Sequence, residues 1–313
     1  MNKKKNKLIY YAQDFGALIA LVLLVIGISF VSPQFRTVDN FLSLLRQSSI
    51  NGFIAFGMTF VILTDAIDLS VGSVLALSTV LCAGMITAGV PVGIALLLAL
   101  VIGALLGLMS GILVTKGRLQ PFIATLITMT VYRGLTMIYT NGKPISNLGN
   151  SFVLKLIGKG SFLGVPIPVI LLIAVFLLFL FLLTKTTFGR RIYATGSNWK
   201  SAKLAGVNIS RTKIIAYVIS GAMAALSGLI LLSRLNSAQP TLGTGYELDA
   251  IAAVALGGTS MSGGRGKIYG TFIGVLIIAV LNNGLNILGV SSYYQAVIKG
   301  IVILVAVLSD RKR

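Results

Sequence analysis

Four of the chain's seven carboxylates sit near the ends of expected apolar spans: Asp65, Asp68, Glu247 and Asp249. Acids beside apolar runs suit two tasks. They can bind a cation or relay a proton through a membrane. Alternatively, a carboxylate just ahead of a helix accepts backbone N–H bonds and complements the positive helix end. Asp68 and Asp249 are each expected immediately before a new helical run, which favours capping and keeps a pathway role open. A second polar cluster, Asn282, Asn283 and Asn286, places Asn282 and Asn286 one turn apart on a helix face. Such amides either hold helices together or hydrogen-bond a hydroxylated solute. With no His and one Cys, Cys82, in an apolar run, the chain offers no zinc site, no disulfide, no Ser-His or Cys-His catalysis and no imidazole relay. No metal or cofactor is expected. The glycine-rich stretch 257–267 fails as a phosphate loop. Counting back from Gly266-Lys267, the first position is Met261 rather than Gly, and Ile268 follows the lysine. It reads as a flexible turn, and no ATPase activity is expected of this chain.

The other charged feature is a soluble basic stretch, Lys185 to Lys213. It holds Lys185, Arg190, Arg191, Lys200, Lys203, Arg211 and Lys213 and no acid. Inside it, Ser197 or Asn198 can cap a short helix and Gly206 can stop it, with Trp199, Ala202 and Ala205 at helical spacing. A short helix carrying Trp199 and flanked by Lys200 and Lys203 suits insertion into a partner's cleft. The plainer alternative is an anchor whose Trp rests at the membrane interface.

The elements that position these residues belong to an all-α integral membrane protein. Hydrophobic residues make up 56% of the chain and charged residues 11%, about half the charge of a soluble domain. Mean hydropathy is +0.96. Ten runs are expected to cross a bilayer, near 15–31, 47–64, 70–89, 92–114, 121–140, 166–184, 213–232, 247–261, 268–288 and 293–309. The second and eighth are short or rich in small polar residues, so either could be broken or re-entrant. The first follows a basic tail, residues 1–14, and is expected to be a retained helix rather than a cleaved leader. The net charge of +19 collects in short loops, so orientation in the bilayer explains it better than nucleic acid does. With the N-terminus inside, the basic tail, Lys116, Arg118, the 185–212 loop, Arg265, Lys267 and the C-terminal basic cluster all fall inside. Only Arg36, Arg46, Lys143, Lys155, Lys159 and Arg234 fall outside. Both termini and the central loop are therefore expected to be cytoplasmic.

A repeat is also expected. Ile67-Asp68-Leu69-Ser70-Val71 resembles Leu248-Asp249-Ala250-Ile251-Ala252, and each is followed by a helix of small residues and then a Gly-rich span. Five spans per half would give two inverted halves, 15–165 and 166–313, with a transport path between them. Gly103, Gly107 and Gly111 lie near one helix face, as tight packing inside the bundle or a dimer seam would require.

Three stretches carry a family resemblance: Ser237 to Thr259, Asn282-Asn283-Gly284-Leu285-Asn286, and Gly289-Val290-Ser291-Ser292-Tyr293-Tyr294-Gln295. They are similar to bacterial ABC sugar-importer permeases, over roughly residues 15–310. The resemblance implies a homodimeric ten-helix permease in the bacterial cytoplasmic membrane, with a cytoplasmic ATPase that binds ATP and Mg and an extracytoplasmic sugar-binding protein. Ribose is the cargo it points to first. It further implies that Asn198, Trp199, Lys200, Ser201, Ala202, Lys203 and Gly206 belong to the coupling helix gripped by the ATPase. Family members often carry a Glu-Ala-Ala-type sequence there; this chain has Lys200-Ser201-Ala202 and keeps the glycine. The binding protein would dock on the outer loops, including 141–165 and 233–246. Asp68, Asp249, Asn282, Asn283 and Asn286 are the candidates for the path. A proton-coupled secondary transporter using one of the four acids is the rival expectation.

Overall fold

The computed structural model describes residues 2–310 in backbone and 16–308 in side chains. The basic clusters at Lys3 to Lys7 and Arg311 to Arg313 lie outside the described side chains. In chain order the helices are α1 (Asn2–Val31), α2 (Val38–Leu63), α3 (Val71–Thr87), α4 (Val92–Thr115), α5 (Pro121–Thr140), α6 (Phe152–Lys159), α7 (Ile167–Lys185), α8 (Thr187–Ser197), α9 (Trp199–Leu204), α10 (Ile209–Leu235), α11 (Tyr246–Leu256), α12 (Ile268–Ile287) and α13 (Ser292–Asp310). Four two-residue strands lie in the loops: β1 (Ile145–Ser146), β2 (Ser161–Phe162), β3 (Val165–Pro166) and β4 (Ser237–Ala238). β1 pairs antiparallel with β4, Ile145 opposite Ala238, and β2 pairs with β3 as a hairpin.

Every expected span contains a helix, and two of the ten differ from expectation. α2 runs unbroken for 26 residues and begins at Val38, nine positions before the expected start near 47. Its polar first half hides it from a hydropathy scan, yet from Ser48 to Leu63 it is buried on all sides. The eighth segment is the opposite case. α11 has 11 residues, about 16 Å at 1.5 Å per residue, and a hydrocarbon core is about 30 Å thick. The expected span 247–261 is therefore half a helix, continued by the glycine-rich loop 257–267.

Among the described residues α4, α5, α7, α10 and α12 are long and apolar enough to cross a membrane by length and composition. Only 28% of the apolar window is buried in α4, α5 and α7, against 61% in α10 and α12, so the first three form an outer wall around the last two. Helix starts follow local chemistry: α5 and α7 carry Pro in their first turn, where the missing N–H costs nothing. α5 and α10 end on Asn141 and Asn236 in the left-handed conformation.

The contacts repeat across the two halves. α10 packs on α4 as α2 packs on α12; α3 packs on α5 as α11 packs on α13; and α3 meets α10 as α11 meets α2. This pairing equates α3 with α11, but it shifts the repeat read from the sequence. Asp68 precedes the first residue of α3, whereas Asp249 sits inside the first turn of α11. The two acids are not counterparts.

The glycines of α4 form a seam within the chain. A Cβ on Gly103 would strike Ala225 and the carbonyl oxygen of Gly221, and one on Gly107 would strike the carbonyl oxygen of Tyr217. On Gly111 it would come within 3.1 Å of the Ile214 Cα. Backbone meets backbone along α4 and α10, so a larger side chain has nowhere to go. Gly107→Leu should cost about 1–3 kcal/mol of stability through overpacking. Thermal unfolding of the detergent-purified protein checks this against Gly134→Leu, at a site with nothing within 4 Å of a Cβ.

Candidate functional site

Two non-helical segments, 64–70 and 236–245, interrupt the bundle, and the second crosses the start of α3, the helix into which the first leads. Gly72, at the start of α3, lies so close to Gly243 that a Cβ would strike the Gly243 carbonyl oxygen; it would also come within 2.7 Å of Glu247 Oε2. α3 and α11 thus bring their N-terminal ends to one place. Each segment is held by side chains of the other elements. Tyr217 Oη of α10 donates to the Ile67 carbonyl at 3.0 Å. Arg133 Nη1 of α5 donates to the carbonyls of Pro240 at 2.6 Å and Leu242 at 2.9 Å. Arg133 is the twelfth residue after the start of α5, so the crossing lies about 18 Å along that helix.

Asp68 is fully buried. Its Oδ1 accepts from the backbone N–H of Ser70 at 3.0 Å and from Ser70 Oγ, and its Oδ2 accepts from Ser220 Oγ of α10 at 2.8 Å. It therefore braces the entry to α3 and ties it to the second half. Asp249 does something else. Its Oδ2 pairs with Lys299 Nζ at 3.1 Å, joining α11 to α13, and among the described residues it accepts no backbone N–H of a helix start. The expectation of a cap at Asp249 is corrected on both counts: the residue is inside the helix, and a cation claims its carboxylate. Glu247 accepts from the Gly245 N–H at 3.2 Å. Asp65 lies at the far end of the 64–70 segment, its carbonyl 3.5 Å from Lys213 Nζ.

The amide cluster divides. Asn283 and Asn40 exchange two hydrogen bonds, at 2.8 and 3.1 Å, fastening α12 to the start of α2. Asn286 accepts from Gln295 Nε2 at 2.8 Å. Asn282 is buried, and its Oδ1 has no partner among the described residues. No hydrogen bond links these amides to Asp68 or Asp249 among the described residues.

The basic stretch folds as three consecutively capped helices. Thr186 accepts from Gly189 N–H to start α8, Asn198 from Ser201 N–H to start α9, and Asn208 from Arg211 N–H to start α10. Gly206, at φ 81°, ends α9; its N–H donates to Lys203, and Val207 N–H donates to Ala202. That pair of bonds is a Schellman motif, which requires a residue at ease in the left-handed region. Ala202 faces inward, while Trp199 is 51% and Leu204 91% exposed, so α9 presents an apolar tip flanked by Lys200 and Lys203. Beside it lies a cleft of about 1010 Å³ bounded by Asp65, Arg118, Trp199, Lys203 and Lys213.

α8 itself was not legible in the sequence. It anchors α9 to the body: Tyr193 Oη donates to the Gly266 carbonyl at 2.9 Å, and Phe188 stacks on Phe60 of α2 with centroids 6.1 Å apart. Burial pushes the Tyr193 phenol above its ordinary pKa.

The comparisons bear on what this arrangement serves. Residues 40–307 match the family model described as branched-chain amino acid transport system / permease component. The chain belongs to this permease family. It is 59% identical over 301 residues to the ribose import permease protein RbsC of Bacillus subtilis, covering 96% of this chain and 94% of that one. Against the ribose import permease protein RbsC of Escherichia coli K12 it is 51% identical, over 97% and 95% of the two chains. The D-allose transport system permease protein AlsC of E. coli K12 is 39% identical, over 99% and 95%. No solved structure matches. The permease is thus a multi-pass membrane protein, and the sequence resemblance to sugar-importer permeases holds along nearly its whole length.

The Asp249–Lys299 pair offers a direct test of how this permease is held together. Removing one partner of a largely buried pair strands the other charge and costs about 3 kcal/mol, while replacing both with apolar residues is close to neutral. Asp249→Leu should therefore lower the melting temperature, and Asp249→Leu/Lys299→Met should recover most of the loss in a double-mutant cycle.

Proposed function

We propose that this permease is the membrane subunit of an ATP-driven importer that carries ribose inward by alternating access. The observation that carries the reading is the near-full-length likeness to relatives named as ribose import permeases. Two copies would form the transport unit in the cytoplasmic membrane, each with ten membrane segments in two inverted halves, 15–165 and 166–313. Both termini would lie inside. α9, with Asn198, Trp199, Lys200, Ser201, Ala202, Lys203 and Gly206, would be the coupling helix seated in a cytoplasmic ATPase, which binds ATP and Mg. Its exposed apolar tip and its two-ended capping support that role, since a six-residue helix needs both caps to hold its shape against a partner. A sugar-loaded binding protein would dock outside on the loops 141–165 and 233–246, which β1 and β4 already join.

Two of the four carboxylates favour this over proton coupling. Asp68 is saturated by two serines and a backbone N–H, and Asp249 by a lysine, so neither is poised as a free proton carrier. Ribose contacts along the path would be sparse and polar, and Asp68 at the crossing and the unpartnered amide oxygen of Asn282 remain its candidates.

The test is uptake of labelled ribose into proteoliposomes. Uptake is expected only with ATP, the ATPase and the binding protein together. Gly206→Pro removes the N–H that closes α9 and imposes the wrong sign of φ, so it should abolish uptake while the permease still inserts. Uptake by the permease alone under a proton gradient would overturn the reading.

A further inference from the structure

The glycine-rich loop 257–267 was expected to be a flexible cytoplasmic turn, and the structure packs it tightly. A Cβ on Gly263 would come within 2.7 Å of the Asp65 nitrogen, and one on Gly264 within 2.5 Å of the Ser197 Cα. Gly264 N–H donates to the Leu63 carbonyl, the last of α2, at 3.0 Å. From the other side, a Cβ on Gly196 of α8 would strike that same carbonyl oxygen and come within 2.5 Å of the Gly264 nitrogen. Tyr193 holds the Gly266 carbonyl. At the loop's start, Gly257 and Gly270 press together, fixing it to α12. Four of these glycines, Gly258, Gly263, Gly264 and Gly266, have positive φ, so the path needs glycine for its shape as well as its closeness.

The loop therefore touches α8 at one end and continues into α11 at the other. Contact of backbone on backbone leaves no side-chain layer to absorb a displacement, so a shift of one partner must move the other. α11 is short and regular, and its opposite end is the crossing with α3 at Gly72 and Gly243. We propose that loop 257–267 is the receiver for movement of the α8–α9 segment, and that α11 delivers this movement to that crossing. Tyr193, Gly196 and Ser197 form the driving face; Gly263, Gly264 and Gly266 form the driven face. These are positioning residues, and the proposal deepens the importer reading and rests on it.

Two variants test it in the reconstituted complex of permease, ATPase and binding protein. Tyr193→Phe deletes one hydrogen bond and keeps the ring; Gly264→Ala adds a methyl against Ser197 in a left-handed position. Gly300→Ala, with nothing within 4 Å of its Cβ, is the control. Ribose taken up per ATP hydrolysed should fall about fivefold in Tyr193→Phe, the worth of one hydrogen bond, and further in Gly264→Ala. ATPase co-purification should be unchanged in Tyr193→Phe, which carries the test if Gly264→Ala does not assemble. In the isolated permease, Tyr193→Phe should also raise amide hydrogen exchange in 257–267 and in α11. Uptake per ATP at the wild-type value, or exchange in α11 unmoved, would overturn the proposal. A wild-type complex that fails to import ribose would overturn the ribose reading instead, and the exchange experiment would still judge the loop.

Discussion

Backbone that leaves the helical path inside an apolar bundle must find hydrogen-bond partners among side chains, because neither water nor lipid supplies them. This molecule is organised around that demand at two places, 64–70 and 236–245. Tyr217 and Arg133 reach from α10 and α5 to carbonyls that no helix satisfies, and Asp68 takes up an N–H just ahead of α3. The longest-range supports cross between distant parts of the chain: α10 serves the first break, and α5 serves the second. Neither break is satisfied by its neighbours in sequence alone, and α2 packs against α10 at the centre.

The two breaks are held by different chemistry. The first rests on hydroxyls around one carboxylate. The second rests on cations, with Arg133 on two carbonyls and Lys299 on Asp249. The contact pattern of the helices is close to symmetric, but the polar grip is not.

Hydropathy made the helices legible where they face outward and misled where they do not. α4 and α7 announce themselves because lipid-facing surface must be apolar. α2 hid its first turns because Asp39, Asn40, Arg46 and Gln47 lie on a helix that is enclosed by others farther along. Capping chemistry was readable at Asn198 and Gly206, since a cap is a local matter of two or three residues. The partner of Asp249 was not, because Lys299 is fifty positions away and only the α11–α13 packing brings them together. The glycines of α4 were readable as a seam, and Gly221 and Ala225 stand at matching spacing on α10, but sequence alone did not pair them. The loop 257–267 shows the limit most plainly: glycine signals a free turn and a crowded one with the same letter.

The α4–α10 seam has a mechanical meaning of its own. Gly103, Gly107 and Gly111 set the two helices against each other with little on the α4 side of the seam that could re-sort into a second arrangement. The pair behaves as a single thick beam. Hinges in this molecule must then lie elsewhere, along contacts that do have side chains to reshuffle, such as the α2–α7–α12 junction, where Phe56, Phe176 and Phe272 stack loosely at 5.3 to 6.3 Å. Both the glycine seam and this aromatic junction border α2, which packs on α10 along one side and on α7 and α12 along the other.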